Sequence, residues 1–383
     1  MIRASLALAA AVAMSAANPA CSRSAPAATE GDGFRVVTVV EGLDHPWSIA
    51  FLPGGDMLVT ERPGRLRIVR NGALLADPVA GVPRVLAQGQ GGLMDVVPHP
   101  EFATNRLLYL SFSKPGTDGS AATTAVVRGR LQDDRLMGVE EIFVADTRGG
   151  GHFGSRLAFD ADGFLFITVG DRQAPPRGDL EAHPAQDLSN HHGTIVRLHD
   201  DGRVPADNPF VGRAGARPEI WSYGHRNPQG LAIHPETGDV WTTEHGPQGG
   251  DELNLVQRGR NYGWPVVGYG VNYGGSKIHA STEREGMVGP VHYWVPSIAT
   301  SGLMVYTGQR FPDWRGNLFA GGLAREQLAR LVMRGRRVAS EDTMLREIGR
   351  IRDVRQGPDG YIYVAIDRSG SGPSIVRLQP SGG

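Results

Sequence analysis

Short apolar runs separated by turn-forming residues recur along this chain. In the first copy, residues 48–51 and 57–60 are apolar runs that flank Pro53, Gly54 and Gly55. An apolar run, a Pro/Asp/Gly turn and a second apolar run together predict a β-hairpin. Further copies of this unit occupy residues 96–110, 156–169, 230–242, 304–319 and 353–365. The sequence lacks long heptad or 3.6-residue periodicity, so it predicts an all-β protein.

The six hairpins indicate a repeat architecture. Strand-rich units of roughly 40–50 residues are typical of propeller blades, and we expect a six-bladed β-propeller of four-stranded antiparallel sheets. An early strand at residues 34–40 is expected to pair with residues 375–377 and close the ring, which removes exposed sheet edges. Residues 34–380 then form one domain, in which long loops account for the uneven spacing. A pair of β-sandwiches is the alternative that the pattern leaves open.

Charge is almost balanced over the 383 residues, with 39 basic and 40 acidic side chains. The chain therefore has no strong positive field that would attract nucleic acid or an anionic membrane. Lys114 and Lys277 are the only lysines, so almost all the cations are arginines. Arginine suits two-point binding of carboxylates, although the base composition of the genome explains the same bias.

The N-terminus has the form of an export signal. Arg3 precedes an apolar run at residues 6–17. The run is shorter than the ~20 residues that a membrane span needs, so no transmembrane span is predicted. We interpret residues 1–20 as a signal peptide and the low-complexity residues 21–33 as a flexible tether.

Processing of this signal has two outcomes that the sequence leaves open. Cleavage near Ala17 or Ala20 would release the protein without an anchor. Lipidation of Cys21, the only cysteine, would tether it to a membrane, although Asn18 stands where lipoprotein signals have an aliphatic residue. Either outcome predicts an exported, periplasmic protein without disulfides, which core packing must stabilise, together with any metal that it binds.

Residues 223–230 concentrate a cation, two amides and an imidazole beside two glycines. Arg226 is a candidate for stabilising negative charge that develops on a bound oxygen. Asn227 is a candidate for orienting the same group. The alternative is a capped turn in which Arg226 bonds neighbouring carbonyls. The cluster favours a floor for a charged, planar, oxygen-rich ligand.

His152 lies in the glycine-rich segment 149–154, immediately before a predicted strand. Glycines allow a ligand to approach the backbone closely. An imidazole, with an ordinary pKa of ~6.5, accepts a proton near neutral pH, which makes His152 a candidate general base. A turn histidine bonded to a carbonyl is the alternative.

A second polar cluster, Gly246-Pro247 followed by Asp251-Glu252, favours calcium. Calcium takes six to eight oxygen ligands, which include carboxylates and backbone carbonyls. A Gly-Pro turn presents two successive carbonyls, and Glu252 with the carbonyl of Tyr262 forms a second candidate site. The spacing is not that of an EF-hand.

Arg350 and Arg352 alternate with strand period, which places both guanidinium groups on one face. Two guanidinium groups on one face fit a ligand with several carboxylates. A pair of surface arginines with Asp353 as their partner is the alternative.

Two apparent motifs are set aside. His191 and His192 are adjacent in an extended segment, so their side chains point apart and do not form a zinc site. Residues 89–92 are glycine-rich, but no amphipathic helix follows them, which excludes a Rossmann or P-loop phosphate site.

Seven ordered motifs together resemble one family, the soluble pyrroloquinoline-quinone (PQQ)-dependent sugar dehydrogenases of the glucose/sorbosone dehydrogenase family. The resemblance is greatest to the broad-specificity aldose dehydrogenases of bacterial periplasms, and it covers nearly the whole chain after the signal. The motifs are HPWSIAF (45–51), GQGGLMDVVPHPEF (89–102), HFGSRLAFDADGFLFITVGDR (152–172), GHRNPQGLA (224–232), EHGPQGGDELN (244–254), NYGWP (261–265) and RIRDV (350–354).

The resemblance implies a six-bladed propeller with the quinone over one mouth. It implies that His152 is the general base for the C1 hydroxyl of the sugar, supported by Asp171. Arg226 and Asn227 would lie over the reactive carbonyls of the quinone. The remaining quinone contacts that the resemblance implies are Gln90, Arg350 and Arg352.

The resemblance also implies two calcium sites and a reaction. The carbonyls of Gly246 and Pro247 would bind the calcium of the cofactor, and Glu252 with Tyr262 a structural calcium. Hydride would pass from C1 of an aldose to PQQ, giving an aldonolactone, and an external acceptor would take the electrons. A monomer and a homodimer are both compatible with the sequence.

Two segments depart from the glucose-specialised branch of this family, one at residues 322–325 and one at residues 293–297, where the placement of aromatic residues differs. Ala324 stands where that branch has a cofactor-binding lysine, and the adjacent Arg325 is the candidate replacement. Two other functions stay open: a calcium-dependent lactonase, and a non-catalytic extracellular propeller that binds a partner. A lactonase would need several side-chain ligands around a central calcium, and a binding module would be expected to lose His152 or Arg226.

Overall fold

The computed structural model describes Met1 and residues 33–117, 119 and 121–381. The predicted signal peptide, nearly all of the tether and Cys21 lie outside the described residues. Within the described ranges, no helix is both long and apolar enough to cross a membrane.

The described chain folds into six four-stranded antiparallel sheets, which confirms the predicted six-bladed β-propeller and excludes two β-sandwiches. The first twelve strands are β1 (Phe34–Glu41), β2 (Pro46–Phe51), β3 (Met57–Glu61), β4 (Arg65–Arg70), β5 (Ala73–Leu74), β6 (Leu93–Pro98), β7 (Leu107–Pro115), β8 (Ala122–Gln132), β9 (Arg135–Val144), β10 (Leu157–Phe159), β11 (Leu165–Val169) and β12 (Thr194–Leu198). The other twelve are β13 (Ile220–Tyr223), β14 (Pro228–Ile233), β15 (Val240–Glu244), β16 (Asp251–Val256), β17 (His292–Trp294), β18 (Thr300–Val305), β19 (Leu318–Gly322), β20 (Gln327–Arg334), β21 (Arg337–Met344), β22 (Ile351–Gln356), β23 (Ile362–Ile366) and β24 (Pro373–Pro380).

Among the residues that the structure describes, helical structure is confined to short connections between these strands. The α-helix α1 (Phe102–Asn105) joins β6 to β7. Three 3-10 helices lie at Leu180–Ala182, Pro184–Gln186 and Pro312–Trp314. All six predicted hairpins are present as the first two strands of a blade: β2–β3, β6–β7, β10–β11, β14–β15, β18–β19 and β22–β23.

The first strand of the chain closes the ring. β1 pairs antiparallel with β24, with Val37 opposite Arg377 and Thr38 opposite Val376. The last blade therefore combines one N-terminal strand with three C-terminal strands in the order β1-β24-β23-β22. This confirms the predicted pairing, which removes the edge that β24 would otherwise present.

The core lies between neighbouring sheets. In one interface, Tyr109 and Val126 of the second blade pack against Leu157, Ile167 and Val196 of the third, and all five are buried. Alternating side chains of each strand face the two neighbouring blades, because successive residues of a strand point to opposite faces of its sheet. Burial of each aliphatic side chain of this kind contributes about 1.5–3 kcal/mol.

The innermost strands, β2, β6, β10, β14, β18 and β22, each contact the next, and β22 contacts β2. The loops that precede these strands emerge at one end of the ring. Because the sheets are antiparallel, the loops from the second to the third strand of each blade emerge at the same end. We call this end the upper face. Every blade that contributes a candidate site residue places that residue at this end.

Candidate active site

His152 and Asp171 form a buried pair on the upper face. His152 precedes β10 with a φ of 46°, and Asp171 follows β11, the strand that pairs with β10. The distance from His152 Nδ1 to Asp171 Oδ1 is 2.6 Å. Asp171 Oδ2 also accepts a hydrogen bond from the indole nitrogen of Trp264 at 2.8 Å. With Nδ1–H donating to the carboxylate, His152 Nε2 is left to accept a proton.

The loops that carry this pair are tightly packed. A Cβ placed on Gly170 would lie 2.1 Å from the carbonyl oxygen of His152. The backbones approach so closely that only glycine is tolerated at residue 170, the position before Asp171. The same His152 carbonyl accepts a hydrogen bond from Arg172 Nη1 at 2.5 Å.

The surroundings keep His152 neutral. Burial lowers the pKa of His152, and the positive charges of Arg226 and Arg172 act in the same direction, while Asp171 opposes them. Burial alone would raise the pKa of Asp171, but its hydrogen bond with His152 and its other donors hold that pKa below the usual range. The pair therefore consists of an ionised carboxylate and a neutral imidazole near neutral pH.

Arg226 and Asn227 lie in the loop that precedes β14. Arg226 Nη1 donates to the carbonyls of His245 and Gly246 at 3.1 and 2.7 Å, and its guanidinium lies 5.2 Å from the ring centroid of Trp264. Asn227 Oδ1 accepts from the backbone N–H of Gly154 at 3.1 Å, which connects the His152 loop to the next blade.

A cavity of about 210 Å³ brings several predicted residues together. Gln90, His152, Asp171, Arg226 and Pro247 all line it. Gln90 Oε1 also accepts from the backbone N–H of His152 at 2.8 Å. A proton acceptor, a cation and an amide therefore face one space, the arrangement expected of a site for acid–base chemistry.

Arg350 and Arg352 meet at Asp367, in the loop that follows β23. Arg352 Nη2 lies 3.2 Å and Arg350 Nε 3.9 Å from Asp367 Oδ2. The two guanidinium groups thus share a face, as the strand period predicts. The alternative that Asp353 is their partner is wrong, because the Asp353 carboxylate pairs with Arg156 at 3.0 Å instead.

Arg325 is exposed in the turn between β19 and β20. Of the described residues, those that line the cavity do not include Arg325, Arg350 or Arg352. These three side chains reach the upper face at other blades of the ring.

The predicted metal residues form a compact group beside Arg226. Gly246, Glu252 and Tyr262 line a small space of about 20 Å³, enough for one ion or water molecule. Glu252 lies opposite Glu244 across the β15–β16 pair. Burial, followed by the nearby charge of Glu244, raises the pKa of Glu252 to about 8.

Two features of this group bear on calcium. Within the described ranges, no three His, Cys, Asp or Glu side chains converge as metal ligands. A calcium ion here would therefore need carbonyl oxygens. Asn254 Nδ2 donates to Glu252 Oε2 at 3.1 Å, while the buried Oδ1 of Asn254 has no partner among the described residues. An unpartnered oxygen beside a partly buried carboxylate fits a hard cation.

A profile of the Glucose / Sorbosone dehydrogenase family matches residues 43–377. The chain belongs to this family. Over 353 residues it is 45% identical to the aldose sugar dehydrogenase YliI of Escherichia coli K12, with 90% of this chain and 92% of that relative covered. Family membership confirms the resemblance carried by the motifs and the oxidoreductase class that it implied.

Solved structures of related proteins have the same fold. The apo crystal structure of the soluble aldose sugar dehydrogenase from E. coli superposes with a TM-score of 0.84 at 45% identity, covering 91% of this chain and 99% of that one. The PQQ-bound aldose sugar dehydrogenase from Streptomyces coelicolor superposes with a TM-score of 0.73 at 28% identity, covering 90% and 97%.

Sequence reasoning missed two side chains that complete the site of this family member. Trp264 lies within the NYGWP motif, yet its bond to Asp171 joins residues 93 positions apart. Arg172 directly follows Asp171, is buried, and has its pKa lowered to about 9 by that burial. The tryptophan in an otherwise turn-like motif was the one available signal for Trp264. The sequence carried no comparable signal for Arg172.

Proposed function

We propose that this protein is a PQQ-dependent aldose dehydrogenase that oxidises the C1 hydroxyl group of an aldose to the aldonolactone. Electrons then pass to an external acceptor. The observation that supports this most is the His152–Asp171 pair on the wall of a cavity that Arg226 and Gln90 also line. A buried imidazole kept neutral beside a cation is suited to removing a hydroxyl proton.

The residues of the upper face fit an anionic, planar cofactor. Arg226, Asn227 and Gln90 would contact its carbonyl edge, and Arg350 and Arg352 its carboxylates, with Arg325 in place of the family's lysine. Trp264 offers the cofactor an apolar wall. When bound, PQQ supplies a two-electron acceptor for hydride, which no protein side chain provides.

His152 then acts on the substrate. Its Nε2 accepts the proton of the C1 hydroxyl as the C1–H bond breaks, and Asp171 stabilises the imidazolium that forms. The guanidinium of Arg226 stabilises negative charge on the oxygen next to the reacting atoms. Trp264, whose indole N–H holds Asp171 Oδ2, keeps the carboxylate oriented and excludes water from one side of the pair.

Calcium is part of the proposal. The carbonyls of Gly246 and Pro247 would bind the ion that accompanies the cofactor. In the structure the Gly246 carbonyl accepts from Arg226, so this oxygen would be shared between the guanidinium and the ion. Glu252, with the carbonyl of Tyr262, would bind a structural ion, whose charge would offset the cost of ionising a carboxyl group with a raised pKa.

The N-terminal signal supports export to the periplasm, with the choice between cleavage and a lipid anchor at Cys21 decided by processing. The reaction requires a small-molecule sugar and an acceptor on the same side of the membrane. The protein would act as a monomer or a homodimer.

Reconstitution tests the proposed function. The purified protein is titrated with PQQ in the presence of calcium, and quinone absorbance and dye reduction are measured with a panel of aldoses. We expect binding and sugar-dependent turnover. The absence of both quinone binding and activity with every aldose in the panel would reject the proposal.

Substitution of the proposed base provides a sharper test. The variant His152→Ala is expected to bind PQQ but to lose ~100-fold or more in kcat, the range for loss of a general base. Turnover at the wild-type rate would remove His152 from its role while leaving cofactor binding intact.

A further inference from the structure

The guanidinium of Arg156 is buried at the axis of the propeller. Arg156 directly precedes β10, four residues after His152, and is 1% exposed. Its guanidinium lies 3.0 Å from Asp353 of β22 and 4.0 Å from the ring centroid of Trp47 in β2. A buried arginine persists only where charges and acceptors surround it.

The charge of Arg156 is balanced within a group of four side chains. Asp95 and Asp353 are fully buried, and Arg355 contacts both: Nη2 lies 3.2 Å from Asp95 Oδ1 and Nε 3.0 Å from Asp353 Oδ2. Arg156 Nη1 lies 3.7 Å from Asp95 and 3.0 Å from Asp353. Two anions and two cations thus share the axis, and both arginines pair with the same two aspartates.

Arg156 makes two further contacts that Arg355 does not share within the described residues. Arg156 Nη2 donates to the backbone carbonyl of Arg352 at 2.9 Å, and Arg156 Nε donates to that of Gln229 at 2.7 Å. The side-chain oxygen of Gln229 accepts from Arg352 Nη1 at 2.8 Å. In addition to its ion pair with Asp367, Arg352 therefore depends on Arg156 at two points. Arg156 binds its main-chain carbonyl, and Arg156 also binds Gln229, which binds its guanidinium.

We infer that Arg156 is a positioning residue, which fixes Arg352 for binding the carboxylates of the cofactor. The inference rests on the proposed function, in which Arg352 contacts an anionic quinone. Arg156 reaches the ligand only through Arg352 and Gln229. Ion pairing alone would need one positive charge, but holding two carbonyls from different blades needs the planar fork of a guanidinium.

The test compares two conservative variants in the full chain. Arg156→Lys keeps the charge beside Asp95 and Asp353, but its single ammonium group cannot reach both carbonyls as well as the aspartates. Arg355→Lys is the matched control, because it perturbs the same two aspartates and leaves Arg352 and Gln229 untouched. Three quantities are measured for each variant. The dissociation constant of PQQ comes from absorbance titration with calcium present, kcat is measured at saturating PQQ, and Tm is measured without the cofactor.

We expect Arg156→Lys to weaken PQQ binding by ~10-fold, the loss of about one hydrogen bond to a charged group. Its kcat at saturating PQQ should stay within about 3-fold of wild type, because His152 and Asp171 are unchanged. Arg355→Lys should lower Tm by about as much as Arg156→Lys does, yet its dissociation constant for PQQ should equal that of the wild type. If Arg156 had a purely structural role, the two variants would change the dissociation constant of PQQ by the same factor.

Three outcomes overturn the inference. If Arg156→Lys binds PQQ with wild-type affinity, the inference is wrong while the proposed function stands. The same holds if Arg355→Lys loses as much affinity for PQQ as Arg156→Lys does. A wild-type protein that fails to bind PQQ overturns the proposed function and this inference together. If Arg156→Lys does not fold, Gln229→Met removes one of the two side-chain acceptors of Arg352, the other being Asp367. Wild-type affinity for PQQ in that variant also overturns the inference.

Discussion

At the scale of single residues, the protonation state of His152 is set by a balance of opposing neighbours. Burial, Arg226 and Arg172 lower its pKa, and Asp171 raises it. The base form therefore persists to a lower pH than in a free imidazole, whose pKa is ~6.5. Activity that depends on neutral His152 should stay constant above that value and decline only as the pH falls below it.

The variant Asp171→Asn tests this balance. Asp171 raises the pKa of His152, so its removal lowers that pKa further and moves the acidic limb of the kcat/KM profile to lower pH. The plateau should fall by roughly 100-fold, since the ring loses its orienting acceptor. The measurement is kcat/KM between pH 4 and 8, and an unchanged acidic limb would contradict the assigned role of Asp171.

At the scale of elements, the site depends on contact between two neighbouring loops, one before β10 and one after β11. Gly170 lies against the carbonyl of His152, where a Cβ would be 2.1 Å away. Gly170→Ala must separate the loops by about 1 Å, and a displacement of that size in an active site lowers turnover by ~100-fold.

The matched control for this prediction is Gly54→Ala. Gly54 lies in the turn between β2 and β3, and a Cβ there would meet no atom within 4 Å. We expect wild-type kcat for Gly54→Ala, and a loss confined to kcat and kcat/KM for Gly170→Ala. Equal kinetics for the two variants would show that the loop contact does not matter.

The local pattern predicts the blades because a hairpin depends on residues close in sequence. Each apolar pair with a Pro/Asp/Gly turn carries its own register, so all six hairpins follow from the sequence. The candidate residues are also predicted, since they lie in the loops that flank those strands. Their arrangement is not: Asp367 binds Arg352, and Trp264 binds Asp171, through contacts set by ring closure rather than by local pattern.

At the scale of the whole molecule, one strand pair makes the ring continuous. β1 buries Phe34 and Val40 and covers β24 along most of its length. Loss of these two buried side chains alone costs about 3–6 kcal/mol. Removal of residues 2–41 should therefore lower Tm strongly and expose an edge that promotes aggregation, whereas removal of residues 2–32 should preserve Tm. Thermal unfolding and light scattering of the two variants measure the difference, and equal behaviour would argue against closure by β1.

The proposed structural calcium would stabilise the entire fold. Glu252 and Glu244 are opposed carboxylates in a largely buried space, and within the described ranges neither Lys nor Arg pairs with Glu252. Calcium at ~100 times its dissociation constant adds ~2.7 kcal/mol to the free energy of unfolding. Glu252→Gln should raise Tm in chelator at neutral pH, because the pKa of Glu252 is raised to about 8 and folding no longer requires this carboxyl group to take up a proton. The same substitution should abolish the increase in Tm that calcium produces in the wild type.

The control for that experiment is Glu61→Gln. Glu61 is fully buried, whereas Glu252 is partly buried, and the carboxylate of Glu61 pairs with Arg65 at 2.5 Å and Arg67 at 3.5 Å. Neutralising it removes the ion pairs of Glu61 with Arg67 and Arg65, of which Arg65 keeps Asp44 at 3.1 Å, so Tm should fall in chelator while the response to calcium persists. The two Glu→Gln substitutions should thus change the Tm of the calcium-free protein in opposite directions. A calcium response that survives in Glu252→Gln would exclude Glu252 as a ligand.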